Sequence, residues 1–549
     1  MGKKMLNYCS APFEMFGAAA SFMIKCFEVA PKFSRAAIAQ TKATQDYWNG
    51  VLKYTAAFMG PSINALSAFI DTEKDKVAEN CPTENLKDYS DLFFMNARLA
   101  SGSMTGSLRV MNKFLYDKFR QAFSAWSDPF ENGDEIGGFA FRLEETLRVA
   151  VHEYPKAIDA IEPEFGFHPD SGGYVKVAET ERFRLYQVLP QRKDISPRNK
   201  PILIIPPYVL GANILAFLPG EQRSYVHCYA NLGIPTYIRL VRDIRTTPAV
   251  QTMTGEDDAL DTRFFCQELL NRHGQQVTLN GFCQGGYQAL AALLAGEVDG
   301  LVDALITCVT PVDGTRSKTL TDFISRLPKR FRDLRYSFKK LPNGNVVVDG
   351  SLLSWVYRLR KLESESPIPS FHRDLAMFEP PAGQHARISK TAAAINHWIK
   401  YDQADLPVGI VKMSFDSYTV PIDGEGTLPI TLFGRKLNLK RLEEKKIPWL
   451  ICIADEDDLV DREASLAALD YIDAEVSVFP KGHASLATSW SDPTSACAPH
   501  LRYRLPHRPP SDPDKEYRGP VCFQIDLDAA TGTSGPSCGQ ASDEKAPPK

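Results

Sequence analysis

The residue of this sequence with the most chemical potential is Cys283, at the centre of the run G-F-C-Q-G-G at positions 281–286. An apolar run at 277–280 precedes it and an Ala/Leu-rich helical pattern at 287–294 follows it. A sharp strand-to-helix turn of this kind exposes its central side chain as a nucleophile. A thiol is a stronger nucleophile than a hydroxyl and forms a thioester. The motif therefore predicts acyl chemistry on Cys283, with a buried structural thiol as the alternative.

A cysteine nucleophile needs a base, and the base needs a carboxylate that orients it. After an apolar strand at 449–454 the chain carries three aspartates, of which the spacing favours Asp457, with Asp455 and Asp458 as alternates. His483 follows the final predicted strand at 474–480. The order nucleophile, acid, histidine is the one expected for this architecture. We therefore expect Cys283 to attack, His483 to take its proton and Asp457 to hold the imidazole.

Two backbone N–H groups should stabilise the negative oxygen that forms during acyl transfer. One is that of Gln284, directly after the nucleophile. The other should come from the loop that follows Pro206 and Pro207, at Tyr208 or Val209. Donors of this kind form an oxyanion hole.

The remaining cysteines are scattered and never form C-x-x-C pairs, so neither a zinc site nor a disulfide framework is predicted. We expect no metal, no cofactor and a reducing cytoplasmic location. These cysteines stand at positions 9, 26, 81, 228, 266, 308, 452, 497, 522 and 538.

Apolar runs alternate with helical patterns over the part of the chain that must position these residues. Strands are predicted at 183–189, 201–207, 234–241, 277–282, 301–309, 448–454 and 474–480. Strands that alternate with helices form a mainly parallel sheet covered on both faces. We place this α/β catalytic domain at 175–490, with a lid insertion at about 315–435.

The two ends of the chain differ from this domain. Residues 1–150 are Ala-, Phe- and Met-rich and are predicted to be helical, either binding an apolar body or a partner protein or packing as ordinary core. Residues 500–549 are rich in Pro, Ser and Gly and are predicted to be disordered. Within the lid, the basic run at 326–340 favours a solvated helix face, with phosphate binding as the alternative.

Composition agrees with a large globular enzyme. The 549 residues are 44% hydrophobic and 24% charged, with a formal net charge of −4. A charge so near neutrality argues against general nucleic-acid binding. No uncharged apolar run of about eighteen residues occurs, so no transmembrane segment is expected.

The chain resembles the polyhydroxyalkanoate synthases over roughly residues 175–490. These enzymes polymerise hydroxyacyl groups from coenzyme A thioesters into storage polyester. The motif at 281–286 is similar to the family's G-x-C-x-G-G box, and the I-I-P-P run at 204–207 to its apolar-Pro-Pro strand. The stretches 432–439 and 454–460, then Gly482-His483, fall in the family's order. The resemblance implies an α/β-hydrolase-type fold and an acyltransferase with a Cys-His-Asp triad.

The same resemblance implies hydroxyacyl-coenzyme A and a growing polyester chain as partners, and granule-associated proteins or a second copy as protein partners. It also implies a location on polyhydroxyalkanoate granules in the cytoplasm, with residues 1–150 as the region that binds the granule or a partner. Two positions depart from the family's pattern. Asp458 stands where a histidine usually follows the aspartate, and Gly211-Ala212-Asn213 replaces an Asn-Lys pair.

Two other functions use the same residues or the same fold. A thioesterase or polyester depolymerase would pass the acyl group from Cys283 to water. A non-catalytic granule scaffold would keep the α/β domain for packing alone. Cysteine in place of serine favours acyl transfer to an alcohol, because the thioester intermediate passes its acyl group readily to a hydroxyl.

Overall fold

The structure, a computed structural model, describes residues 2–77, 82–127, 133–193, 195, 200–360, 362–380, 384–495 and 498. The predicted disordered tail at 500–549 lies outside these residues. The chain divides into two compact units. One comprises Met1–Ile70, Tyr89–Ile161 and Trp355–Ala393, and the other Asp71–Asp88, Glu162–Ser354 and Ala394–Lys549.

Thirteen strands lie within the described residues. They are β1 (Tyr174–Glu179), β2 (Phe183–Val188), β3 (Ile202–Ile205), β4 (Thr236–Val241), β5 (Val277–Phe282), β6 (Val302–Cys308), β7 (Phe338–Lys340), β8 (Val346–Val348), β9 (Leu406–Pro407), β10 (Thr427–Leu432), β11 (Arg435–Asn438), β12 (Trp449–Ala454) and β13 (Glu475–Phe479). All seven strands predicted from the sequence are present. The pattern did not reveal β1, because only Tyr174 of this strand is buried and the other five residues are half-buried or exposed.

Seventeen α-helices lie within the described residues, some in the α/β unit and some in the helical unit. They are α1 (Gly2–Val77), α2 (Pro82–Ser127), α3 (Gly133–Arg148), α4 (Tyr154–Ala160), α5 (Tyr225–Ala230), α6 (Pro248–Gln251), α7 (Gly255–His273), α8 (Gln284–Ala295), α9 (Lys318–Arg326), α10 (Gly350–Arg360), α11 (Leu362–Glu365), α12 (Pro367–Phe378), α13 (Lys390–Tyr401), α14 (Val408–Thr419), α15 (Arg441–Glu444), α16 (Arg462–Ser465) and α17 (Ser485–Thr488). Within the described residues, none of them has the length and apolar character to cross a membrane.

The main sheet has eight strands in the order β1-β2-β4-β3-β5-β6-β12-β13. Pairs β1–β2 and β2–β4 are antiparallel, and the pairs from β4 through β13 are parallel. Every residue of β3, β5 and β12 is buried, as expected for central parallel strands covered on both faces. This is an α/β-hydrolase fold, and the predicted mainly parallel architecture is confirmed.

The core of this unit forms where helices cover the sheet. Its largest buried cluster joins strand residues Leu203, Leu279 and Leu305 with Phe265 of α7 and Leu290 of α8. Because parallel strands carry their carboxyl ends at one edge, the loops after β3, β5, β12 and β13 gather there. Those four loops and the first residue of α8 hold the six residues predicted for the triad and the oxyanion hole.

The unit that comprises Met1–Ile70, Tyr89–Ile161 and Trp355–Ala393 is helical, in agreement with the prediction for the N-terminal region. Helix α1 packs against α12 so closely that a Cβ on Gly50 would lie 2.3 Å from the ring of Phe371. The hydroxyl of Tyr47 lies 3.1 Å from Nε2 of His372. Residues 355–393, placed within the lid insertion by the sequence, thus belong to the helical unit.

The basic run at 326–340 is not the helix face that its charges suggested. Helix α9 ends at Arg326, the first residue of the run. The rest of the run folds as short turns and strand β7. Arg330 is buried and pairs with Glu73 at 2.6 Å. Lys76, also buried, pairs with Asp333. Part of the run is therefore used for internal ion pairs within the α/β unit.

Candidate active site

Cys283 sits on a strained turn between β5 and α8. Its backbone has φ 53° and ψ −120°, a conformation that residues other than glycine rarely adopt. Such strain costs on the order of 1–3 kcal/mol and persists only where the surroundings impose it. Here the Cys283 N–H donates to the carbonyl of Cys308 on β6 at 2.7 Å, and its own carbonyl accepts from Gly286 at 3.0 Å. The turn has the form of a nucleophile elbow.

Three glycines make this turn sterically possible. A Cβ on Gly281 would lie 2.3 Å from the Cα of Gly286, and one on Gly286 would lie 1.9 Å from Oγ1 of Thr310. A Cβ on Gly285 would lie 2.1 Å from the carbonyl oxygen of Ile205 at the end of β3. The small residues of the motif therefore bring α8, β5 and the loop after β3 into direct backbone contact.

Asp457 and His483 meet at the carboxyl edge of the sheet. Oδ2 of Asp457 accepts a hydrogen bond from Nδ1 of His483 at 2.7 Å, and both side chains are buried. Oδ1 of Asp457 accepts from the N–H groups of Leu459 and Val460 at 2.9 and 3.0 Å. Both carboxylate oxygens are thus held, and the imidazole is fixed with Nε2 on its opposite side.

The neighbouring carboxylates are placed differently. Asp455 and Asp458 are exposed, and Asp455 lies 3.8 Å from Arg462. Among the three aspartates after β12, Asp457 is the one that contacts the histidine. Because Asp458 is exposed, it does not place a second buried carboxylate inside the site.

The charges around His483 favour its protonated form. Burial of the ring lowers the pKa of His483, but the negative charges of Asp457 and Cys283 and the contacts with both raise it to about 10. The Nε2 atom is buried and makes no hydrogen bond of normal geometry with the described residues. Cys283 nonetheless lies close enough to His483 to raise the pKa of the imidazole. Contacts of this type commonly tighten only when substrate binds.

The loop after β3 brings the predicted oxyanion donors beside the elbow. The Val209 N–H donates to Oε1 of the Gln284 side chain at 3.0 Å. The backbone N–H groups of Tyr208 and Gln284 make no hydrogen bond to any residue that the structure describes. Of the two positions predicted for the second donor, Val209 has an N–H that is already hydrogen-bonded, whereas the N–H of Tyr208 has no acceptor among the described residues.

Several residues around this loop carried no signal in the sequence. The Tyr208 hydroxyl donates to Asp258 of α7, and both oxygens of Asp258 bind Arg239 of β4 at 2.9 and 2.6 Å. Nε2 of Gln284 donates to Ser414 of α14 at 2.8 Å. These partners lie far apart in the sequence, so only the fold brings them together.

A cavity of about 220 Å³ adjoins the same loop. Pro206, Pro207 and Tyr208 line it, whereas neither Cys283 nor His483 does. The side chains of Cys283 and His483 thus do not line the cavity. In the described part of the chain, no cluster of His, Cys, Asp or Glu has the arrangement of a metal site.

Comparison with known proteins identifies no family. No protein-family model matches the chain, and no curated protein matches it. Among solved structures, it is similar to a carboxylesterase of the ammonia-oxidizing thaumarchaeon Nitrososphaera gargenis, with 14% identity, coverage of 57% of this chain and 92% of that chain, and a TM-score of 0.33.

Two enzymes of Bacillus subtilis are similar to a comparable degree. Carboxylesterase CesB has 9% identity, coverage of 63% of this chain and 94% of that chain, and a TM-score of 0.31. Naproxen esterase has 10% identity, coverage of 62% and 93%, and a TM-score of 0.31. Since these likenesses are remote, the fold assignment rests on the strand order and the elbow of this chain. The protein has an α/β-hydrolase fold with a cysteine at the strained turn between β5 and α8.

Proposed function

We propose that this protein is an acyltransferase that polymerises hydroxyacyl-coenzyme A thioesters into polyhydroxyalkanoate through an acyl group bound to Cys283. The observation that carries the proposal is a cysteine at the elbow whose neighbouring histidine is bound to a buried carboxylate at 2.7 Å. The resemblance of the motifs at 204–207, 281–286 and 482–483 to the synthases supports the same substrate class.

The arrangement supports a balanced first step. With His483 protonated, the Cys283 thiolate attacks the thioester carbonyl, and the carbonyl oxygen becomes negative toward the backbone N–H donors. Collapse breaks the bond to coenzyme A, whose sulfur leaves with the proton from His483. Asp457 keeps the imidazolium oriented and stabilises its charge. One thioester replaces another, so the step is nearly balanced in free energy.

The second step forms the polymer bond. Neutral His483 takes the proton of a hydroxyl group on an incoming hydroxyacyl chain, and that oxygen attacks the thioester on Cys283. An ester bond forms, the carbon–sulfur bond breaks, and the thiolate and imidazolium are restored. If water entered in place of the hydroxyl, the same residues would perform hydrolysis, so access to the site decides between the two outcomes.

In this proposal the helical unit attaches the protein to its polymer. Exposed apolar side chains occur along α1 and α2, including Leu52, Ile63, Leu66 and Phe119. We assign them to attachment to the polyester granule or a granule-associated protein, in line with the expectation that residues 1–150 bind an apolar body or a partner protein. Apolar helix faces bind such surfaces through the area that they bury.

The test is to incubate the purified protein with 3-hydroxybutyryl-coenzyme A while measuring free thiol and turbidity together. Thiol release with turbidity supports a polymerase, and thiol release alone indicates a thioesterase. The absence of both thiol release and turbidity would contradict catalysis on this substrate and would favour a scaffold.

Two variants make the assay specific for the elbow. Cys283→Ala should abolish thiol release while the thermal unfolding midpoint stays close to that of the wild type. Cys228→Ala is the matched control, since burial raises the pKa of the Cys228 thiol to about 12 and leaves it unreactive. Full activity in Cys283→Ala would remove the catalytic role of this residue.

A further inference from the structure

The side chain of Gln284 makes two hydrogen bonds that no catalytic role requires. Its Oε1 accepts from the Val209 N–H at 3.0 Å, and its Nε2 donates to Oγ of Ser414 at 2.8 Å. Both Gln284 and Ser414 are buried. A buried amide with both ends satisfied is fixed in one orientation. Gln284 therefore ties the loop after β3 to helix α14 across the amino end of α8.

We propose that Gln284 is a positioning residue for the oxyanion hole: it holds Val209 so that the N–H of Tyr208, and not that of Val209, serves as the second donor. The inference rests on the acyl chemistry proposed above and adds which residues build the site for the negative oxygen. Gln284 then has two roles, since its own backbone N–H is the first donor.

The hydrogen-bonding capacity of the loop supports this assignment. A backbone amide has a single N–H, and that of Val209 is already bound to the oxygen of Gln284. The N–H groups of Tyr208 and Gln284 have no acceptor among the described residues. Two donors without an acceptor, on the two segments that flank the nucleophile, are what an oxyanion hole requires.

Residue 208 is also fixed from its side chain. The Tyr208 hydroxyl donates to Asp258, which binds the guanidinium of Arg239, and all three side chains are buried. Arg239 also donates to Oγ1 of Thr262 at 2.6 Å. The ring of Tyr208 is thus anchored to α7 and β4, while the next peptide group is anchored to Gln284. Two adjacent anchors leave the Tyr208 N–H little freedom to turn.

The glycines of the elbow explain how Gln284 can reach this loop. A Cβ on Gly285 would lie 2.1 Å from the oxygen of Ile205 and 2.6 Å from that of Pro206. Helix α8 and the loop after β3 are therefore in backbone contact at the residue next to Gln284. A glutamine side chain starting at that point spans to the N–H of Val209.

The test compares a reaction that forms an oxyanion with one that does not. Acylation of Cys283 by p-nitrophenyl butyrate, followed as the burst of p-nitrophenolate, passes through a negative carbonyl oxygen. Alkylation of Cys283 by iodoacetamide does not. Removal of an oxyanion donor itself costs about 10²–10³ in rate, and misplacing one should cost part of this, roughly tenfold to a hundredfold.

We expect Gln284→Met to slow acylation by that factor and to leave alkylation within about twofold of the wild type, since the thiolate itself does not depend on the oxyanion donors. Gln288→Met, the same substitution one turn further along α8, is the matched control and should change neither rate. Ser414→Ala keeps the bond from Val209 but frees the other end of Gln284, so acylation should fall about two- to tenfold, as for loss of one hydrogen bond. It also provides a second variant if Gln284→Met fails to fold.

Equal acylation of the wild type and Gln284→Met would overturn the inference. Faster acylation of the variant would also overturn it, because Gln284 would then be blocking Val209 as a donor. Equal slowing of acylation and alkylation would do the same, since the effect would then lie in the thiolate. A different result would contradict the proposed function: wild-type protein would be acylated by p-nitrophenyl butyrate but would release no thiol from 3-hydroxybutyryl-coenzyme A.

Discussion

The carboxylate of Asp457 and the imidazole of His483 are joined by a 2.7 Å hydrogen bond between two strand-end loops that lie 26 positions apart in the sequence. Strands β12 and β13 are parallel neighbours, and their carboxyl ends therefore deliver both loops to the same place. The pair lies beside the elbow because β5 is only two strands away from β12. The sheet order thus determines which carboxylate contacts the histidine.

Loss of this acid should be far more harmful than loss of its neighbours. Asp457→Asn should lower the rate of coenzyme A release by at least about a hundredfold, because an amide cannot stabilise the imidazolium and favours the wrong tautomer. Asp455→Asn and Asp458→Asn, whose side chains are exposed, should each cost less than about tenfold. Steady-state thiol release from the three variants decides the matter. A larger effect at Asp458 would contradict the observed contact.

The raised pKa of His483 predicts a specific pH dependence of stability. This histidine has an ordinary pKa of 6.5 when unfolded and about 10 in the folded chain. The folded state therefore binds the proton more tightly, and this stabilisation is fully present below pH 6.5 and lost as the pH rises through 10. The difference in unfolding free energy between wild type and His483→Gln should thus be larger at pH 6 than at pH 10 in urea titrations. A difference that grows with pH would contradict the assigned charge state.

The close contact at Gly285 predicts a steric penalty. Gly285→Ala places a methyl group against two backbone carbonyls, which cannot move as a flexible side chain would. We expect a loss of about 1–3 kcal/mol in unfolding free energy, as for other overpacked sites, together with loss of acylation. Gly220→Ala is the matched control, because a Cβ there has nothing within 4 Å. Unchanged stability and activity in Gly285→Ala would show that the loop after β3 lies further from α8.

The exposed apolar side chains of α1 give a test of granule attachment. Replacing Leu52, Ile63 and Leu66 together by Gln should lower the fraction of protein that pellets with isolated granules, because less apolar area can be buried. Coenzyme A release should remain. The control variant replaces the exposed polar residues Asn64 and Ser67 of the same helix by Ala. Equal pelleting of both variants would remove these residues from the binding surface.

Local sequence was sufficient wherever one segment carries the whole signal. The run at 281–286 contains both the cysteine and the small residues that the elbow needs, so the sequence predicted the turn that Cys283 forms with a φ of 53°. Continuous apolar runs such as 202–205 and 449–454 predicted buried central strands for the same reason. Strand β1 escaped prediction, because an edge strand has no such run.

Tertiary structure decided what depends on contacts between distant segments. The sequence offered three aspartates, and the pairing of β12 with β13 places Asp457 against His483. It offered Tyr208 or Val209 as a donor, and the side chain of Gln284 occupies one of them. It offered a solvated helix for the basic run, where Arg330 in fact pairs with a buried carboxylate from α1. Residue type and spacing set the available chemistry, whereas charge pairing and donor availability arise only when the strands are ordered in space.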